Sequence, residues 1–157
     1  MKPEFPPLLA PGFHVMTVAG LRAMCVISFP TSVTRPLIMP RLESVIARVS
    51  KARIIGELWI DGSFVTEKID PDDVDILIRV AYEEYVSNPA KSAVVDWASN
   101  VDLVRTHSCD AYRWIEYSRG HPSFRMSDTV RENWTRTFGK SLRGVPKGIA
   151  VILLPAS

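Results

Sequence analysis

Apolar and polar positions alternate along this chain in two rhythms, one helical and one extended. From about Thr34, the apolar residues Ile38, Leu42, Val45, Ile46 and Val49 recur at steps of three and four, while Arg41, Glu43, Arg48 and Lys51 face elsewhere. That spacing predicts an amphipathic helix. Pro36 suits its first turn, and Pro40 inside the pattern predicts a bend or a later start. Leu58-Trp59-Ile60 predicts a short buried strand running into Gly62-Ser63, and Val74 to Val80 a second strand rich in β-branched residues. A polar loop with Pro71 separates them. A short helical piece near Tyr82–Val86 follows, then a break at Asn88-Pro89. The next helix runs through Ala93, Val94 and Trp97 towards Leu103, which puts Asp102 near its end. His107 to Trp114 returns to strand character, and Gly120-His121-Pro122 is a turn. Thr129-Val130-Arg131-Glu132 has capping-box spacing and predicts a helix that opens there, passes Trp134 and stops at Gly139. Gly148 to Leu154 reads as a fully buried strand. Ahead of all this, residues 1–31 form a proline-rich arm (Pro3, Pro6, Pro7, Pro11) with a short helix from about Thr17 to Val26. The expected fold is α/β or α+β, a small mixed sheet of about four strands with three or four helices packed on it.

Composition narrows the class. A chain of 157 residues fits one domain, and 46% hydrophobic with 23% charged residues is a globular balance rather than a disordered one. The best apolar run, Val15 to Phe29, is interrupted by Arg22 and ends at Pro30, so no membrane span is expected. No small-residue cleavage site follows Met1-Lys2-Pro3-Glu4, so no secretory signal is expected either. Cys25 and Cys109 stand alone without a CxxC partner, which predicts reduced thiols and a cytoplasmic protein. His14, His107 and His121 are scattered and argue against zinc.

Net charge is only +2, but residues 57–84 hold nine acids against Lys68 and Arg79, between two basic flanks. An acidic knot in a basic chain is either a solvated loop or a cation site set in a surface that accepts phosphates. The knot contains Asp73-Val74-Asp75 at the mouth of the second strand. Side chains alternate along a strand, so Asp73 and Asp75 point to one side and repel unless a cation lies between them. Such a pair suits Mg²⁺ or Mn²⁺, which take hard oxygen donors and leave positions for substrate phosphates. Gly62-Ser63, at the end of the preceding strand, complements the pair. Gly permits close backbone approach to a phosphate, and Ser adds an N–H and a hydroxyl.

A hydrophobic-Gly-Ser turn, a loop, and Asp-hydrophobic-Asp-hydrophobic together resemble the signature of the DNA polymerase β-like nucleotidyltransferase superfamily. The string Gly62-Ser63-Phe64-Val65-Thr66-Glu67-Lys68 with Asp72-Asp73-Val74-Asp75 is similar to an uncharacterised bacterial group of minimal nucleotidyltransferase-like proteins. That likeness extends to Leu8-Leu9-Ala10-Pro11-Gly12-Phe13-His14 and to Trp134, Phe138-Gly139, Arg143-Gly144 and Lys147-Gly148-Ile149.

The resemblance implies a third carboxylate from a neighbouring strand, with Asp96, Asp102 and Asp110 as candidates. Asp110 lies in the apolar-flanked Cys109-Asp110-Ala111, where an unpaired carboxylate is costly and a cation relieves the cost. A salt bridge to Arg113 or Arg105 is its alternative. Asp73, Asp75 and Asp110 would then be both the catalytic residues and the ligands of two metal ions. Gly62, Ser63, Thr66 and Lys68 would hold the triphosphate, although Lys68 has a solvated-loop alternative. The implied reaction moves an NMP from an NTP or dNTP to a hydroxyl of a protein, an RNA or another nucleotide. The resemblance also implies a bacterial toxin–antitoxin or phage-defence setting.

The rival is a protein of the same fold without turnover, binding nucleotide or neutralising a toxin. A third reading, a nucleic-acid-binding module built on the basic C-terminal half, lacks a reading motif. A chain this short has little material for an acceptor-binding module, so a partner or a homo-oligomer is expected under either main reading. Arg136, Lys140, Arg143 and Lys147 form a basic cluster, either a soluble face or a contact for triphosphate, RNA or protein. Trp59, Trp97, Trp114 and Trp134 are expected in the core.

Overall fold

The computed structural model describes residues 2–156 and is built on one five-stranded mixed sheet. In chain order the elements are β1 (Gly12–Val15), α1 (Val18–Arg22), α2 (Arg35–Lys51), β2 (Gly56–Asp61) and β3 (Val74–Ala81). There follow α3 (Tyr82–Val86), α4 (Pro89–Ala98), α5 (Leu103–His107), β4 (Cys109–Glu116), α6 (Phe124–Phe138) and β5 (Gly148–Leu154). A π-helical turn, Ala23–Ile27, extends α1, and a 3₁₀ turn, Ser63–Val65, follows β2. The strand order is β1-β5-β2-β3-β4. The β1/β5 and β3/β4 pairs are parallel, and β2 is antiparallel to both β5 and β3. The parallel β3/β4 pair needs a crossover, which α3, α4 and α5 supply.

Period-two alternation sends the two halves of each strand into different layers. Leu58 and Ile60, Ile76 and Ile78, and Ala150 and Ile152 face a large core with Ile38, Met39, Leu42, Val45, Ile46 and Val49 of α2. Trp59, Leu77, Trp114, Ile149 and Val151 face the other side, where α6 packs on them through Phe138 with Val130 and Trp134. Trp59 and Trp114 meet edge-on at 5.8 Å. Both are almost fully buried, as expected of core tryptophans.

The structure has six α-helices among the described residues where three or four were expected, and it differs from the sequence expectations at five further points. The expectation of about four strands misses β1, which lies within the proline-rich arm. Its burial pattern carries no alternation because it is an edge strand paired only with β5. The helix expected to run towards Leu103 is two helices. α4 ends at Ala98, and Asp102 sits just before α5. His107 closes α5, Ser108 turns the backbone left-handed at φ 53°, and β4 starts only at Cys109. α6 begins at Phe124, so Thr129 and Glu132 lie inside it and cap nothing. β5 is not fully buried, since Leu153 is 53% exposed.

Candidate functional site

The α6 face of the sheet has three zones. At one end, Arg79 bridges Glu57 at 3.1 Å and Glu116 at 2.6 Å, and Arg131 adds a second cation on Glu116 at 2.5 Å. The aromatic layer fills the middle. At the other end, beyond the cover of α6, the sheet register sets three aspartates side by side. Asp61 pairs with Asp75 across β2/β3, and Asp75 pairs with Asp110 across β3/β4. Each shares its face with a member or neighbour of the aromatic layer one step along, Trp59, Leu77 and Tyr112. Asp73, one residue before β3, joins the row from the same side.

These carboxylates shape one another. Burial, then Asp73 and Asp110, push Asp75 up to about 6, against the opposing charges of Lys147 and Lys2. Burial, then Asp110 and Asp72, also raise Asp73. Asp61 is 1% exposed, and burial pushes it up to about 7. Lys147, with Nζ 3.1 Å from Asp61 Oδ1, and the Gly62 backbone N–H oppose that rise without cancelling it. Tyr112 donates its hydroxyl to Asp110 Oδ2 at 2.9 Å, and burial together with that bond pushes the phenol up to about 12.

The turn after β2 fits closely over this row. Gly62 has φ +82°, and a Cβ built on it would fall 2.6 Å from Asp75 Oδ2. Only glycine meets both requirements. The Ser63 hydroxyl makes no hydrogen bond among the described residues, so the turn does not use it. Thr66 is committed differently. Its hydroxyl donates to Ser63 O at 2.7 Å and accepts from Lys68 N at 3.2 Å, closing the loop on itself. Lys68 Nζ lies 4.0 Å from Asp72, and its charge acts on Asp73.

Arg35, wholly buried, holds this loop in place. Its Nη1 donates to Cys25 O and Phe64 O at 2.8 and 2.7 Å, and its Nη2 to Thr66 O and Lys68 O at 2.8 and 2.6 Å. Asp70 works from the other side. It accepts from the backbone of Val33 at 2.8 Å and Thr34 at 3.2 Å, and those bonds hold it below the usual carboxylate range. The proline-rich arm completes the surround. Glu67 N donates to Pro6 O at 2.9 Å, Leu8 N to Val65 O at 3.0 Å, and Arg143 N to Glu4 Oε1 at 2.9 Å.

The structure therefore brings Asp73, Asp75 and Asp110 together around Gly62, with Ser63 and Lys68 nearby and Thr66 turned inward. Asp96 is elsewhere, paired with Arg113 and Tyr85. That pairing takes Arg113 from Asp110, whose own partner is Tyr112. Sequence reasoning missed Asp61 and Tyr112 as site residues. Asp61 carried a usable signal, a charge flanked by Ile60 and Gly62 at the end of a buried strand. Tyr112 carried one too, at period two from Asp110. Among the described residues, no group of three or more His, Cys, Asp or Glu side chains is gathered into a metal-holding cluster. Tyr112 holds Asp110, and Gly62 fits against Asp75.

The donor set nonetheless fits a hard divalent cation. It is all carboxylate oxygen, and burial together with the neighbouring carboxylates raises Asp75 and Asp73. The register sets the backbones of Asp61, Asp75 and Asp110 side by side on three adjacent strands.

The chain belongs to the family described as a family of unknown function (DUF6932), whose model matches residues 3–153. No curated protein and no solved structure matches it. Among the described residues, no helix is long and apolar enough to cross a membrane.

Proposed function

We propose that this member of that family is a metal-dependent nucleotidyltransferase, moving an NMP from an NTP or dNTP to a hydroxyl acceptor. The observation that carries the reading is the row Asp61–Asp75–Asp110 on three adjacent strands, with Asp73 beside it and Gly62-Ser63 over it. Carboxylates that raise one another's pKa are poised to gain from a cation. Asp73, Asp75 and Asp110 would hold the metal. Magnesium or manganese held there would neutralise the triphosphate and acidify the attacking hydroxyl. The left-handed Gly62 lets the backbone approach the β- and γ-phosphates, and the Ser63 hydroxyl is left to donate to them. Lys68 adds a cation at the loop edge. Catalysis of this kind rests on positioning and charge neutralisation, which the Arg35-pinned loop serves. The acceptor hydroxyl belongs to an RNA, a protein or a nucleotide, and a bacterial toxin–antitoxin or phage-defence setting goes with the reading.

A second reading is a nucleotide-binding or toxin-neutralising protein of the same fold without turnover. The internal cations favour it, since Lys147 and Lys2 already oppose the charge of Asp75. Calorimetry with ATP, in EDTA and in Mg²⁺, tests the binding that both readings share. Affinity that appears only with Mg²⁺ and falls on Ser63→Ala, with Tm unchanged, supports the site. Equal affinity in EDTA and Mg²⁺ removes the metal from it, and a collapse of Tm makes Ser63 a structural turn residue.

A further inference from the structure

We propose that the cleft between the β1 edge and the C-terminal half of α6 binds the phosphate backbone of a single-stranded nucleic acid. Resting on the transfer reading above, it is the place where an acceptor strand lies. The cleft has a volume of about 470 Å³, with Gly12 and Phe13 on one side and Arg131, Arg136 and Lys140 on the other. Lys147 lines it as well, and its Nζ is 3.1 Å from Asp61, so the cleft borders the carboxylate row.

Two features identify the ligand chemistry. Arg131 is engaged by Glu116, but Arg136 and Lys140 are exposed and their side chains have no ion pair or hydrogen bond among the described residues. Glu132 is the one acid on the lining, so the balance favours an anion. Phe13 supplies the second feature. Its ring packs on buried Trp59 at 5.0 Å between centroids, yet the residue remains 53% exposed. A ring seated on the core with its other side open to solvent, next to uncommitted cations, is how single-stranded nucleic acid is held. Cations track the phosphates and the ring stacks a base. Inorganic phosphates would use the cations and ignore the ring.

The test is fluorescence anisotropy of a labelled oligouridine strand with the full chain, in EDTA so that the carboxylate site contributes nothing. The wild type should bind with an affinity that falls as salt rises, about 0.7 log units per log unit of salt for each neutralised phosphate. R136E combined with K140E should weaken binding at least about tenfold, and Phe13→Ala about tenfold, with Tm unchanged in each. Phe13→Ala should leave competition by inorganic triphosphate unaltered. Arg136→Gln with Lys140→Gln, a milder pair, should weaken binding in the same direction if the charge reversal fails to fold. Asp75→Asn should keep strand binding, which separates failure of this cleft from failure of the transfer site. Absence of salt-dependent binding overturns the proposal. So does binding that survives loss of both cations. Competition by triphosphate as effective as by unlabelled strand, with no Phe13 effect, overturns it too.

Discussion

Asp75→Asn removes one negative charge from the middle of the carboxylate row at almost no change of shape. Burial and the neighbouring carboxylates raise Asp75 from 3.8 to about 6. A carboxyl that titrates higher folded than unfolded holds its proton more tightly in the folded state, so ionising it destabilises the fold. The penalty is absent below about pH 4, grows between the two pKa values, and is complete above about pH 6. At about 1.4 kcal/mol for each pH unit between them, it reaches at most about 3 kcal/mol at pH 8. Asparagine cannot ionise. The variant without metal should therefore be more stable than wild type at pH 8 by about 1–3 kcal/mol, or roughly 3–9 °C in Tm for a chain of this size. At pH 4 the gap should close. Added Mg²⁺ with NTP should raise the Tm of wild type at pH 8 and leave Asp75→Asn where it was. Thermal melts at pH 4 and pH 8, with and without Mg²⁺ and NTP, give all four numbers. A variant less stable than wild type at pH 8, or a gap independent of pH, would refute the electrostatic account. Asp75 would then be a structural partner, whose loss from a buried pair costs about 3–5 kcal/mol.

Three further perturbations test the surround. Arg35→Leu should cost more than about 3 kcal/mol in urea unfolding, since it strips donors from several carbonyls at once, and limited proteolysis should then cut between residues 62 and 73. Resistance equal to wild type would show the loop is held otherwise. Lys147→Gln should destabilise more at pH 8 than at pH 5.5, because Asp61, already at about 7, escapes its lost partner by protonating at the lower pH. A loss independent of pH contradicts that account. Gly62→Ala should cost about 1–3 kcal/mol through its positive φ and displace Asp75, so that the Mg²⁺-dependent Tm rise disappears while circular dichroism keeps the fold. Retention of that rise would show Gly62 does not position Asp75.

What could be read from the chain, and what could not, follows from how local each cause is. The period of α2 and the β-branched run of β3 are local signals, and both elements lie where the pattern puts them. β1 is only four residues long and is held as an edge strand by β5, a partner more than a hundred residues away, so no local pattern announces it. The break between α4 and α5 depends on Asn100 capping the backbone of Asp102 at 2.8 Å, a bond with no apolar periodicity. At the site, strand alternation was enough to put Asp73 and Asp75 on one side. The register that aligns Asp61, Asp75 and Asp110 is a tertiary fact. So is the burial of Arg35 beside Pro36. Much of the acidic knot is structural: Asp70 holds the backbone ahead of α2, Glu57 pairs with Arg79, and Glu84 pairs with Lys91 at 2.5 Å. Asp61, Asp73 and Asp75 are the members of the knot that lie along the sheet end.

The most direct test of nucleotidyl transfer follows the α-phosphate. The purified protein is incubated with each α-³²P-labelled NTP and Mg²⁺ or Mn²⁺, with RNA, cell protein or nucleotide as acceptor, beside Asp73→Asn, Asp75→Asn and Asp110→Asn. The account predicts label fixed to one acceptor class and pyrophosphate released, both lost in EDTA and in each variant. Label that persists in Asp75→Asn, or no label on any acceptor from a protein that binds NTP with Mg²⁺, would contradict it.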